Sequence, residues 1–170
     1  MINFYVRQKV FSILDQYKIY DRNQNPLYQC KAKPFSLSRK LKIYRIADQS
    51  HLFTIRKKML SFWPKFQILN PNDAVLAEVK RVWSMFKGHL MLTTPNGHLD
   101  VKGNFMHHQF TIMRESMILA SVQKQWISWG DTYEISIEDQ EDFEFLLCLV
   151  IVIDSIFHRK KSNVKSVNYR

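Results

Sequence analysis

Hydrophobic and polar residues alternate with period two along most of this chain, and turn residues interrupt the alternation at short intervals. In "YKIYDRNQNPLYQCKAK" the alternation meets a turn at Asp21–Pro26 and then resumes. "KLKIYRIADQSHLFTIRK" does the same around Ala47–Ser50, "KFQILNPNDAVLAEVKRV" around Asn70–Asp73, and "HLMLTTPNGHLDVKG" around Pro95-Asn96-Gly97. "FTIMRESMILASVQ" supplies a fifth instance, with its turn at Arg114–Met117. Alternation bounded by Asn, Asp, Pro and Gly is the signal of a β-hairpin. Aligned on their turns, the segments share a hydrophobic pair before the turn and Leu or Val just after it, the pattern of an internal hairpin repeat. With an opening run at Phe4–Val10 and a closing run at Thr132–Ile137, the five hairpins predict twelve strands.

Parity then assigns faces. Tyr17 and Ile19, Cys30 and Ala32, Val75, Ala77 and Val79 are each expected on one, inward side. So are Phe110 and Ile112, Ile118, Ala120 and Val122, and Tyr133, Ile135 and Ile137. Lys31, Lys33, Glu78, Lys80 and Ser121 alternate onto the other. Many short antiparallel strands in one domain make a sandwich or a barrel.

One segment departs from the alternation. "FEFLLCLVIVIDSIF", Phe143–Phe157, is apolar on every side, and its unbroken apolar run, Phe145–Ile153, is nine residues. The whole segment is shorter than the roughly 20 residues that span a bilayer, and Asp154 would be costly in lipid. It is also too long for a buried strand. Glu138, Asp139, Glu141, Asp142 and Glu144 crowd its front, and His158, Arg159, Lys160 and Lys161 follow it. That is the charge order a helix dipole favours, and it predicts a helix at about 139–158. A helix apolar all round must be enclosed by protein. The expected fold is therefore mainly β: a closed antiparallel β-barrel of about twelve strands around a central hydrophobic C-terminal α-helix. Residues 1–161 form the single domain, and 162–170 form a basic tail. Asp154, near the helix end, runs against the dipole and needs a local partner.

These residues also carry a family likeness. "YVRQKVFSILDQYKIYDRNQNPLYQCKAKPFSLSRKLKIYRIADQSHLFTIRKKMLSFWPKFQI" (Tyr5–Ile68) and the tail "LVIVIDSIFH" (Leu149–His158) resemble the LURP-one-related family. An opening phrase of that family is met by Gln8-Lys9, Phe11, Asp15, Ile19 and Asp21, and its closing pattern by Ile153-Asp154 and Ile156-Phe157. The resemblance implies the tubby C-terminal-like fold shared with phospholipid scramblases, again a barrel of twelve strands on a hydrophobic helix. Where the family usually has Gly in the first turn this chain has Gln24-Asn25, and Asn tolerates a left-handed conformation there. For function the family implies little. Phosphoinositide binding belongs to tubby itself, and lipid scrambling reaches this chain by fold analogy alone.

Charge adds a candidate function. Residues 1–60 hold 13 Lys and Arg against 3 acids, whereas 61–137 are nearly balanced, 7 against 6. A basic N-terminal third attracts polyanions such as anionic lipid or nucleic acid. The 170-residue chain is 14% aromatic, which argues against disorder. Its two cysteines make neither a disulfide framework nor a metal site, so a reducing cytoplasm is the expected compartment. "MINFYVRQKVF" has no signal-peptide h-region, and neither myristoylation nor CaaX motifs occur.

Catalytic patterns are missing: no GxSxG, P-loop, GxGxxG or HExxH is present. His107-His108 would point to opposite faces of a strand and is expected as one half-buried and one solvated histidine. Cys148 and Cys30 are expected as inert core. The chain is thus expected not to be an enzyme and to use no metal or cofactor. "RKKMLSFWPKF" suggests binding instead. Lys40, Lys42, Arg45, Arg56, Lys57, Lys58 and Lys65 are the candidate contacts for anionic phospholipid headgroups, with Trp63 as an interfacial anchor. The expected role is a non-enzymatic binding or scaffold module, peripheral on the inner face of a membrane. The alternative is nucleic-acid binding by the same surface, and scrambling ranks third.

Overall fold

A computed structural model describes residues 1–8, 15–32, 40–58, 65–82, 89–125, 132–138 and 142–157. Its strands are β1 (Ile2–Gln8), β2 (Asp15–Tyr20), β3 (Pro26–Ala32), β4 (Lys40–Arg45), β5 (His51–Lys58) and β6 (Lys65–Leu69). They continue as β7 (Val75–Val82), β8 (His89–Thr94), β9 (Gly97–Asn104), β10 (Gln109–Arg114), β11 (Met117–Gln125) and β12 (Thr132–Ile137). A short 3-10 helix, Phe105–His107, joins β9 to β10, and α1 spans Phe143–Phe157. Each strand pairs antiparallel with its sequence neighbour, and β1 with β12 closes the barrel. Glu134 on β12 fastens that seam, accepting hydrogen bonds from Asn3 at 2.8 Å and Tyr5 at 3.2 Å.

The helix fills the barrel. Nine consecutive residues of α1, Leu146–Asp154, are buried, which is what an all-apolar helix demands. Against them pack the inward residues of the strands, among them Val6, Ile19, Cys30, Ile43, Ile55, Ile68, Val79, Leu92, Val101, Ile112, Val122 and Ile135. No helix among the described residues is long and apolar enough to cross a membrane.

The hairpins repeat one device. Gln24, Gln49 and Asp73 each adopt a positive φ (65°, 55° and 61°), and three residues after each stands Leu27, Leu52 or Leu76. Each of those leucines sits where the register shifts, and each packs on the core. The extra residue of a β-bulge bends the strand, here letting a Leu close the barrel mouth just past the turn. Glu115 (φ 55°) begins a variant in which Leu119 takes this role. The left-handed residue in the first turn is thus Gln24, not Asn25.

Bulges also correct two parity assignments. Val75 and Ile118 were expected inward, yet they are 42% and 49% exposed. The register slips between Ile68 and Leu69 opposite β7, and between Ile112 and Met113 opposite β11. Parity counted back from Ala77 and Ala120 therefore fails at the first residues of both strands, where Leu76 and Leu119 pack inward instead.

Candidate functional site

Lys40 and Lys42 open β4, Arg56 and Lys58 close β5, and Lys65 opens β6. The register sets Lys31 of β3 opposite Lys42, Lys40 opposite Arg56, and Lys58 opposite Lys65. Lys80 of β7 is in turn the Cα partner of Lys65. Residues directly opposed across an antiparallel pair share a face, with Cβ atoms roughly 4.5–5.5 Å apart, and like charges so placed repel. The outer wall of β3–β6 therefore carries these cations, interrupted by Thr54 opposite Lys42 and Gln67 opposite Arg56. Glu78 is set among them: Lys58 Nζ lies 3.7 Å from it, and Gln67 donates to it at 2.6 Å while accepting from Arg56 at 2.9 Å. Lys31 Nζ sits 5.7 Å above the ring of Tyr44. Lys58 remains half exposed.

The other candidates separate from this wall. Lys57 is the Cα partner of Phe66, so the pleat sets it on the core-facing side of β5. Arg45 lies at the far end of β4 from Lys40 and is held by Glu144 of α1, with Nη2 at 2.8 Å from Oε1 and 3.0 Å from Oε2. It also pairs with Asp48 at 3.0 Å, and the two carboxylates raise its pKa. Trp63 lies outside the described residues, as does the basic tail. Strand parity puts Lys31 on the outward face without marking it as a binding residue, and only its register opposite Lys42 brings it into the site.

A second polar cluster is internal. Asp154 on α1 is 2% exposed. Tyr17 Oη donates to its Oδ2 at 2.5 Å, and His108 Nε2 bonds its Oδ1 at 2.7 Å. These are the partners the sequence required and could not name. His108 is not a strand residue: it ends the 3-10 helix in a left-handed conformation (φ 51°), which turns its ring inward onto Tyr133, centroids 4.6 Å apart. Its neighbour His107 is exposed. Burial, then the charge of Asp154, raises the pKa of the Tyr17 and Tyr133 phenols well above the usual value. Burial likewise pushes up both thiols, Cys30 and Cys148, so neither offers a thiolate nucleophile. Among the described residues no group of three His, Cys, Asp or Glu could hold a metal ion.

Fold and site together define a closed β-barrel threaded by a helix and carrying a cationic outer wall. The chain belongs to the LURP-one-related family, whose model matches residues 2–154. It is 28% identical over 158 residues to uncharacterized protein YxjI of Bacillus subtilis, covering 93% of this chain and 95% of that one. An X-ray structure of an Arabidopsis thaliana protein shares the fold with a TM-score of 0.69 at 19% identity, covering 93% of this chain and 91% of that one.

Proposed function

We propose that this protein is a non-enzymatic module that binds anionic phospholipid membranes peripherally through the outer wall of β3–β6. The observation that carries the reading is the succession of like-charged cross-strand pairs, Lys31 with Lys42, Lys40 with Arg56 and Lys58 with Lys65. Each such pair destabilises the sheet that holds it. An external anion would relieve that repulsion, which favours a polyanionic surface as the partner. Each base near an anionic bilayer adds about 1 kcal/mol of attraction. Lys31, Lys40, Lys42, Arg56, Lys58 and Lys65 are the contacts. Arg45, committed to Glu144, and Lys57, on the core-facing side, are not among them.

The test is sedimentation with neutral and anionic vesicles at low and high salt, with an oligonucleotide competitor. Pelleting with anionic vesicles alone, lost in salt and resistant to the oligonucleotide, is the expected result. A Lys58→Glu/Lys65→Glu variant should lose it and Lys57→Gln should not. Failure to pellet under every condition would overturn the reading, and displacement by the oligonucleotide would reassign the wall to nucleic acid.

A further inference from the structure

The outer face of β1–β2 holds a further pair of like charges. Arg7 and Lys18 are Cα partners across these strands, and both face outward, since their neighbours Val6, Tyr17 and Ile19 are buried. Opposed residues of this kind have Cβ atoms roughly 4.5–5.5 Å apart, and two bases so placed repel. Among the described residues neither forms an ion pair. Gln29 and Tyr44 continue the row without charge, and Lys31, at the edge of the basic wall, lies one row away.

Arg7 is also held in place. Its guanidinium lies 4.6 Å over the Tyr20 ring, and its Nη2 donates to Gln24 Oε1 at 3.2 Å. Its Nε is buried and has no hydrogen-bond partner among the described residues, whereas buried donors are nearly always paired. Glu134 stands opposite Tyr5, one row from Arg7, and accepts from Asn3 and Tyr5.

We propose that Arg7 and Lys18 bind a phosphate monoester on this face, apart from the wall of β3–β6. Two opposed bases match the charge of a monoester near neutral pH, about −1.5 to −2. A diester, a sulfate ester or a carboxylate brings a single charge. A guanidinium takes two phosphate oxygens in a fork, and a lysine adds a point charge. An oxygen set against the Nε edge gives that donor an acceptor. Tyr5 and Tyr20, partners in the next row, offer the ester's organic group an aromatic floor. Glu134 repels an extended polyanion on one flank, so the site takes a single phosphate group.

Phenyl phosphate and phenyl sulfate differ by one charge and little in shape. Each would be titrated into the isotopically labelled full chain at about pH 7.5, above the second phosphate pKa, while amide chemical shifts are followed. Saturable shifts at Arg7, Lys18 and Tyr20 are expected, with the phosphate about tenfold tighter than the sulfate. Arg7→Gln and Lys18→Gln should each remove that preference. Lys58→Glu/Lys65→Glu should keep it, so a failure of the wall leaves this site standing. Vesicles carrying phosphatidic acid, a monoester, or phosphatidylglycerol, a diester, then separate the sources. A preference for phosphatidic acid that Arg7→Gln abolishes would make the ligand a lipid headgroup. Equal pelleting with both, beside retained phenyl phosphate binding, would make it a soluble ester. No saturable shift at those three amides would overturn the site, and equal affinity for phosphate and sulfate would overturn the monoester.

Discussion

Inside the barrel a single carboxylate is matched with care, while on the wall outside cations are set against cations. Asp154 is almost wholly buried and holds a phenol and an imidazole, one on each oxygen, drawn from residues 137 and 46 positions away. On β3–β6 three successive register pairs are basic on both sides. The physical stakes differ accordingly. A charge in a low-dielectric interior survives only with partners, and removing one leaves the rest stranded. Exposed like charges cost tenths of a kcal/mol and are tolerated. The interior cluster therefore serves to hold the helix in register, and the wall is free to serve something outside the molecule.

The contrast breaks most visibly at Asp154. Asp154→Ala strands His108 and Tyr17 in the core and should cost about 3–5 kcal/mol, measured as a lower urea midpoint. Tyr17→Phe removes one hydrogen bond to the charged group and should cost about 1.5–3 kcal/mol. The pH dependence has a definite sign. The phenols of Tyr17 and Tyr133 are raised by burial first and by Asp154 second, while in the unfolded chain they ionise near pH 10. Above that pH the folded state holds protons that the unfolded state has lost, so their contribution is complete below about pH 10 and falls as pH rises. Absorbance at 295 nm should show these tyrosines titrating only as the barrel unfolds, with a shallower alkaline loss in Tyr17→Phe. Titration of every tyrosine near pH 10 with structure intact would show that this cluster is open to water.

How far these two regions could be read from sequence depends on what each needs. Strand existence needs only alternation and turns, and the helix only an all-apolar run with the right charges at its ends. Thr132–Ile137 is accordingly an observed strand, and the helix expected at about 139–158 is observed at Phe143–Phe157, with 139–141 and 158 outside the described residues. Facing needs the bulges, which a parity count does not see; hence Val75 and Ile118 were misplaced, each within two residues of a register shift. The wall was half legible. Strand parity alone separates Lys57 from Arg56 and Lys58, but opposing Lys31 to Lys42 requires the register across two strands. The interior cluster was the least legible. Its demand was visible in Asp154, whereas His108 reaches it only through a left-handed residue ending a 3-10 helix, where a strand was expected. The one signal was the adjacent pair His107-His108 in a chain of six histidines.

A smaller effect is expected at the other end of the helix. Arg45 and Glu144 form an ion pair whose side chains are 38% and 18% exposed, so solvent screens it. Arg45→Met keeps the apolar stem and removes the fork. Its destabilisation should be less than that of Tyr17→Phe and should shrink further as salt is raised, because exposed charges are screened within about 10 Å at 0.1 M. The effect of Asp154→Ala should hardly depend on salt. Vesicle binding by Arg45→Met should match the wild type. Loss of binding in a folded variant would return Arg45 to the ligand surface.

The smallest effect on stability has the opposite sign, and for that reason it separates the two regions most sharply. Lys65 faces Lys58 on one side and is paired in register with Lys80 on the other. Lys65→Glu turns repulsion into attraction across the sheet and should stabilise the barrel by about 0.2–1 kcal/mol. The same change removes one attraction of about 1 kcal/mol toward an anionic bilayer and adds a repulsion. A barrel that becomes more stable and binds vesicles more weakly is the signature of residues kept for an external partner against the interest of the fold. Were Lys65→Glu instead to destabilise the protein, Lys65 would be part of the fold's own charge balance with Glu78. The wall would then be a structural network of the same kind as the cluster inside.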